Sequence, residues 1–499
     1  MADTKREIER KYESDDSGLP DLTGVGGVTD VIDMGLVELD ATYYDTADQR
    51  LTAASLTLRR RTGGSDAGWH LKFPVAPGVR DEIRCPLSDT VPAEIAALVR
   101  SRVRGAELVP VVRLRSARDV RHLVDADGAV LAEASVDTVT ADRLIGKGGS
   151  AQWTEIEVEL ADEADPALLD RVDKRLRKAG VRPSKSASKL ARALEQTGGT
   201  RHGSGRRAKP VTAGDHVLAY VREQREKILE HDPGVRRDVP DAVHQMRVAT
   251  RRLRSTLRTF GKVLDPAVTD AIAVELKWLA GELGLDRDQE VLAERLTTAL
   301  GDLPPALVHG PVSKRFTTWA SARHGSARGH LLAILDSARY LALLDTLDAL
   351  LADPPLRKKA AGKPEKVLAK AVRKDLAKVS RLVTEAMELP PGEERDVALH
   401  EARKKGKRTR YAAEAAVPAL GGTARSLAKS MKSLTKLLGE HQDSVMARRT
   451  LRELSAVAHA AGENGFTYGA LHAREEARAA QVEARLPGLW KEARSQAAV

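Results

Sequence analysis

The sequence predicts two folds in one chain: an α+β amino-terminal half built around a closed antiparallel β barrel with a polar lumen, and an all-α carboxy-terminal half. Three observations carry this. Short β-rich runs separated by turn signals fill roughly the first 195 residues, whereas long Ala, Leu, Arg and Glu segments with helical periodicity follow residue 212. Charged side chains recur at alternate positions on nearly every amino-terminal run, opposite apolar ones. A basic helical stretch beginning at Val243 is repeated from Leu399.

Bulk properties set the limits. A chain of 499 residues exceeds one ordinary core and predicts two or three domains. Lysine and arginine exceed aspartate and glutamate by 81 − 71 = 10, which favours polyanionic partners without choosing among them. Cys85 is the only cysteine, so an internal disulfide and a thiolate metal cluster are both excluded, as expected of a cytoplasmic protein. The opening MADTKREIERK lacks an apolar signal region. The most apolar later stretch is interrupted by Asp336, Arg339, Asp345 and Asp348, so neither secretion nor a membrane span is expected. Residues 196–212, QTGGTRHGSGRRAKPVT, read as a flexible linker between a domain at 1–195 and another at 213–490.

The amino-terminal strands share one arrangement. Glu7, Glu9 and Lys11 alternate, as do Arg59 with Arg61, His70 with Lys72, Arg80 with Glu82 and Arg84, Glu133 with Asp137, and Glu155 with Glu157 and Glu159. Leu56, Leu58, Trp69, Leu71, Phe73, Ile156 and Val158 occupy the opposite faces. An ordinary sheet with one solvated face explains the alternation but not its recurrence on nearly every strand. A closed barrel, with apolar faces packed outward and charges turned into a wet lumen, explains both. DADG at 125–128 marks a hairpin between two of these runs. Arg and Lys in such a lumen suit polyphosphate oxygens, and clustered carboxylates suit Mg²⁺ or Mn²⁺.

The ordered set Glu7-x-Glu9-x-Lys11, LRRR (58–61), HLKFP (70–74), ASVDTV (134–139), TEIEVEL (154–160) and SKLARAL (188–194) resembles the CYTH family of triphosphate tunnel metalloenzymes. The resemblance implies an eight-stranded antiparallel tunnel with flanking helices that binds triphosphate with a divalent metal. It places Lys11, Arg59, Arg61, Lys72, Arg84, Arg118 and Lys189 along the phosphate path, with Arg115 and Lys185 as further candidates. It assigns Glu7, Glu9, Asp137, Glu155 and Glu157 to metal; Glu159 competes with Glu155, and Glu133 with Asp137. Members of the family hydrolyse inorganic or thiamine triphosphate, and some cyclise ATP. Aromatic residues make up only 3% of the chain, which argues mildly for a substrate without a ring.

In the helical half, VHQMRVATRRLRSTLRTF aligns with LHEARKKGKRTRYAAEAA, pairing His244 with His400, Arg247 with Arg403, Arg251 with Lys407, Arg252 with Arg408 and Arg254 with Arg410. Downstream, Gly284 pairs with Gly439 and Asp288 with Asp443 at nearly the same offset, which reads as a duplicated helical bundle. Positions +0, +3, +7 and +10 of a helix fall within an arc of roughly 80°. His244, Arg247, Arg251 and Arg254 therefore form one stripe, extended by Arg258, and His400, Arg403, Lys407 and Arg410 form its counterpart. A third basic run contains Lys363, Lys366, Lys370, Arg373, Lys374, Lys378 and Arg381. Like charges so close repel unless acids or a bound anion lie across them.

These pairs resemble the CHAD domain, the conserved histidine α-helical domain, which implies inorganic polyphosphate binding by the stripes together with Arg252, Lys370, Arg373, Lys374, Lys404 and Arg408. The second copy departs from the first by carrying Lys407 for Arg251 and Glu414 for Arg258. The combined expectation is a triphosphatase using Mg²⁺ or Mn²⁺ joined to a polyphosphate-binding module, cytoplasmic and associated with polyphosphate granules. A non-catalytic polyphosphate binder and a class IV-type adenylate cyclase are the alternatives. Nucleic acid is disfavoured, because few aromatics interleave with the basic residues and no groove-reading motif is present.

Overall fold

Alternating polar and apolar side chains stabilise a sheet only if each face finds a matching environment, and the amino-terminal unit meets that demand by closing on itself. The computed structural model describes residues 3–14, 18–198 and 209–496. It divides into two units, Met1–Arg207 and Ala208–Val499. The strands of the first are β1 (Asp3–Glu13), β2 (Asp30–Asp45), β3 (Thr57–Thr62), β4 (Gly68–Ala76), β5 (Val79–Cys85), β6 (Val109–Val124), β7 (Val130–Arg143) and β8 (Gly149–Leu160). They pair antiparallel in the order β5-β4-β3-β2-β6-β7-β8-β1. The ring closes because β1 has two partners: Asp3–Ile8 pairs with β5, and Glu9–Glu13 pairs with β8. A two-residue β9 (Arg182–Pro183) adds to the end of β1. The eight-stranded tunnel is thus present, with this short ninth strand as an appendix.

Helices α1 (Arg50–Ala53), α2 (Ala93–Val103) and α3 (Ala167–Lys178) cover the apolar outer faces, whereas α4 (Lys189–Gln196) packs on the inward face of the ring. Leu168, Leu169, Val172 and Leu176 of α3 pack on Tyr12, Leu123, Ile156 and Val158. Ile95, Leu98, Val99 and Val103 of α2 pack on Leu58, Trp69, Leu71 and Ile83. Each such apolar side chain, fully buried, contributes about 1.5–3 kcal/mol. The shorter α4 lays Leu190, Ala193 and Leu194 on Leu114, Val139 and Trp153. Its start is fixed by the Ser188 hydroxyl, which accepts a hydrogen bond from the Ala191 amide at 3.1 Å.

The second unit is all helical: α5 (Ala213–Arg236), α6 (Ala242–Thr259), α7 (Pro266–Glu282), α8 (Leu285–Gly301), α9 (Val312–Asp336), α10 (Ala338–Ala352), α11 (Pro364–Glu388), α12 (Glu393–Ala460) and α13 (Phe466–Gln496). A capping box between Thr212 and Asp215 starts α5. The long α12 breaks direction at Gly421, whose φ of 59° lies in the left-handed region. One large core joins α5, α6, α7, the end of α9, α10, α11, α12 on both sides of Gly421 and the second half of α13, and a smaller one gathers around Phe316, Leu451 and Tyr468. Residues 199–208 of the expected linker lie outside the described residues, as does the side chain of Asp288. Among the described residues no helix is long and apolar enough to cross a membrane.

Candidate active site in the tunnel and a basic face on the helical unit

Strand alternation turns the charged side chains of the ring inward, where they line a cavity of about 660 Å³. Lys11, Arg59, Arg61, Lys72, Arg84, Arg118 and Lys189 all line it, as do Glu7, Glu9, Glu157 and Glu159. The register across the strands brings the acids together: Asp137 on β7 faces Glu155 on β8, and Glu157 on β8 faces Lys11 on β1. Ligating oxygens of Asp137, Glu155 and Glu157 lie within 4.8 Å of one another, and all three residues are buried.

Three cations hold this trio. Lys189, delivered by the first turn of α4, lies 2.9 Å from Asp137, 2.9 Å from Glu155 and 2.5 Å from Glu157. Arg118 grips Asp137 through Nε at 2.7 Å and Nη2 at 2.8 Å, and the same Nη2 donates to Glu157 at 2.8 Å. Lys11 pairs with Glu157 and lies 3.0 Å from Glu9. Burial opposes the charges of Asp137, Glu157, Lys11, Arg118 and Lys189, but the pairing prevails. Lys189 and Arg118 hold Asp137 below its ordinary carboxylate value. Lys11, Lys189 and Arg118 hold Glu157 well below. Lys11 and Lys189 in turn titrate above the ordinary lysine range.

A second acidic group, Glu7, Glu9 and Glu82, adjoins the trio through Lys11, which Glu9 and Glu157 share. Glu82 is fully buried and pairs with Arg84 at 2.6 Å, His70 at 2.9 Å, Lys72 at 3.4 Å and Arg59 at 3.6 Å. Lys72 also holds Glu7 at 2.5 Å. For Glu7, burial outweighs Lys72 and its pKa rises, whereas Lys11, Lys72 and Arg80 overcome the burial of Glu9 and lower its pKa. Both acidic groups offer hard oxygen donors of the kind Mg²⁺ and Mn²⁺ take, but only Asp137, Glu155 and Glu157 form a three-carboxylate cluster of that spacing among the described residues.

Sequence reasoning placed Arg80 and Glu82 on the charged face without a role and passed over Lys5 and Tyr43; of these, Arg80, Lys5 and Tyr43 line the cavity. Lys5 pairs with Glu159 at 2.5 Å, which occupies Glu159 outside the trio. Glu133 lines the cavity 3.9 Å from Arg118, whereas Asp137 sits in the trio itself. Arg115 instead pairs with Asp142 at 2.7 Å with a half-exposed side chain, and neither it nor Lys185 lines the cavity.

The helical unit concentrates cations differently. Arg254 on α6 has its pKa lowered by burial and by Arg258, Arg251 and Arg408. Lys405 on α12 is lowered by burial, Arg408 and Lys378. Three helices thus bring like charges to one place, the condition that favours a bound polyanion. Exposed Lys370, Arg373 and Lys374 follow on α11, His244 is exposed on α6, and exposed Lys404 pairs with Glu401. Lys407 is half-buried on α12. His400 is lowered by burial, with Lys404 and Arg403 adding to it.

Other members of the stripes turn to internal partners. Glu414 takes Arg252 at 3.0 Å and Arg410 at 2.8 Å. Arg408 holds Asp375 at 2.9 Å and donates to the Arg258 carbonyl at 2.7 Å. One of the repeated glycines also acquires a reason. A Cβ on Gly284 would fall 2.6 Å from Nη2 of Arg247, so this glycine leaves room for the arginine; one on Gly439 would lie 3.6 Å from Nε of Arg403, an ordinary contact, so the second copy packs its arginine beside the glycine without needing it.

The chain belongs to the CYTH and CHAD families: the CYTH domain model matches residues 5–194 and the CHAD domain model matches residues 219–452, in that order. CYTH proteins are triphosphatases or adenylate cyclase-like enzymes that use divalent metal ions, and CHAD domains are associated with polyphosphate. An uncharacterized protein of Mycobacterium tuberculosis is 39% identical over 514 aligned residues, 98% of this chain and 97% of that one. Among solved structures, PptA from Streptomyces chartreusis is 22% identical with a TM-score of 0.48, covering 56% of this chain and 100% of that one. The CHAD domain from the plant Ricinus communis is 27% identical with a TM-score of 0.42, covering 56% of this chain and 92% of its own.

The buried trio makes stability depend on pH. Because Asp137 and Glu157 titrate below their ordinary values of 3.8 and 4.5, they stabilise the fold above those values, and that contribution is lost as the pH falls through their folded-state pKa. The thermal midpoint of the full-length protein, followed by near-UV circular dichroism without metal, should therefore fall on acidification below pH 4.5. Glu157→Gln should make that fall shallower; an equal slope in the variant contradicts the assignment.

Proposed function

We propose that the amino-terminal tunnel hydrolyses inorganic triphosphate, or a closely related triphosphate, with Mg²⁺ or Mn²⁺, and that the helical unit binds inorganic polyphosphate. The observation that carries the first part is the trio Asp137, Glu155 and Glu157, set among Lys11, Arg118 and Lys189 in a ring whose cavity Arg59, Arg61, Lys72 and Arg84 also line. Asp137, Glu155 and Glu157 would hold the divalent cation, which when bound neutralises phosphate oxygens and orients the reacting phosphorus.

The chain's own residues do the remaining work. An incoming triphosphate exchanges with carboxylates for the lumen cations: Lys11, Arg59, Arg61, Lys72, Arg84, Arg118 and Lys189 move from acid partners to phosphate oxygens, the arginines in bidentate fashion. Their charge is then aimed where negative charge develops on the leaving phosphate. The surrounding ring keeps bulk water from screening it. In the helical unit, Arg251, Arg254 and Arg258 supply the cationic surface, and Lys370, Arg373, Lys374, Lys404 and Lys407 extend it. Granule association in the cytoplasm follows from such binding.

Phosphate release from triphosphate, ATP and thiamine triphosphate with Mg²⁺ or Mn²⁺, together with cyclic AMP formation, tests the catalytic reading. Triphosphate should turn over without cyclic product, and Lys11→Ala, verified as folded, should lower kcat about 10²- to 10³-fold. Cyclic AMP as the main product, or near wild-type turnover in the variant, contradicts it.

Polyphosphate binding by the full chain in EDTA should weaken with added salt as condensed counterions are released. Replacing Arg251, Arg254 and Arg258 together by Ala should reduce both the affinity and the salt slope. Unchanged affinity would show that these arginines are only a solvated face.

A further inference from the structure

Glu155 differs from its two partners in the trio in how it is held. Its Oε2 accepts a hydrogen bond from Nε1 of Trp153 at 2.6 Å, and Nη1 of Arg192 lies 3.5 Å from the same oxygen. Arg192 is fixed in turn: its guanidinium stands 5.0 Å over the Trp153 ring, and Nη2 lies 2.9 Å from Glu13. Glu13 accepts a hydrogen bond from the Ser184 hydroxyl at 3.1 Å. Trp153 is 7% exposed and Glu155 2%, so bulk water does not compete for either group.

The other oxygen meets a different partner. Oε1 is buried and lies 2.9 Å from Lys189, the ammonium that also lies 2.9 Å from Asp137 and 2.5 Å from Glu157. The terminal torsion of a glutamate is broad and nearly two-fold, so the torsion alone does not choose which oxygen is turned to Lys189. Here Oε2 is tied to Trp153, and Oε1 is the oxygen on the side of Lys189, which Asp137 and Glu157 share. Local geometry explains the tie: Trp153 and Glu155 share a strand face at i and i+2, while Lys189 and Arg192 sit one turn apart on α4.

We propose that Trp153 and Arg192 are positioning residues that fix the Glu155 carboxylate with Oε1 toward the divalent cation shared with Asp137 and Glu157. The proposal rests on the metal-dependent reading of the tunnel. Such outer contacts orient a carboxylate and strengthen it as a ligand, and their loss typically costs 10- to 100-fold in metal affinity. Trp153→Phe retains the ring beneath Arg192 and removes only the N–H donor. Arg192→Gln removes the charge and the stack.

The test is Mn²⁺ alone titrated into the full-length protein, with free Mn²⁺ read by electron paramagnetic resonance. Glu157→Gln serves as the control that places the ion in the trio. Expected is a loss of roughly 10- to 100-fold in Mn²⁺ affinity for Trp153→Phe and for Arg192→Gln, with triphosphate binding in EDTA unchanged. If Trp153→Phe fails to fold, Arg192→Gln alone decides. Wild-type Mn²⁺ affinity in the folded variants, beside loss in Glu157→Gln, overturns the positioning role and leaves the tunnel reading intact; a lowered thermal midpoint with that unchanged affinity marks only a structural pin. No Mn²⁺ binding by the wild type, or wild-type binding by Glu157→Gln, overturns both.

Discussion

Everything in the amino-terminal unit depends on one constraint: charges enclosed by a sheet that has no open edge must compensate one another. Removing an ion from water costs several kcal/mol even after relaxation, and a partner left alone after its counter-ion is lost is strongly destabilising. The ring therefore interleaves its signs. Glu82 sits beneath Arg59, Lys72 and Arg84, and Glu157 is shared by Lys11, Arg118 and Lys189. The outer faces can be apolar because the polar residues have been turned inward, and α2 and α3 find their places by covering those faces, while α4 packs on inward-facing Val139 and Trp153 and brings Lys189 to the trio.

A paired network of this kind is also an ion exchanger. Each lumen cation holds a carboxylate that a phosphate oxygen can replace, and each carboxylate so released is a hard ligand for a divalent cation. The helical unit works with less compensation. Glu414 and Asp375 satisfy Arg252, Arg410 and Arg408, while Arg254 is lowered by burial first and then by the nearby Arg258 and Arg251. On the proposed reading the two units would take polyanions by different means, one through exchange inside a ring and the other through like charge gathered on helices.

Much of this was legible in the sequence, because strand alternation and helix period are local properties. Glu7, Glu9 and Lys11 declare a shared face within five residues, and the repeat pairs His244 with His400 without any structure. Closure and register are not local. Whether Glu155 or Glu159 joined Asp137 depended on how β8 aligns with β1 and β7, which pairs Glu159 with Glu9 and Glu155 with Asp137. Glu82 was visible between Arg80 and Arg84, yet its importance comes from full burial and four partners on two other strands and its own. Trp153 and Arg192 gave no charge pattern to follow. Glu414 looked like a departure of the second repeat from the first; in three dimensions it is the acid that Arg252 and Arg410 share.

The most direct test of an exchanging lumen is a crystal structure of the full chain grown with Mn²⁺ and a non-hydrolysable imido-linked triphosphate, collected at the manganese edge. The account predicts anomalous density among Asp137, Glu155 and Glu157, with the triphosphate against Lys11, Arg59, Lys72 and Arg118 and their carboxylate pairs opened. Manganese and triphosphate bound outside the ring, with those pairs intact, would contradict it.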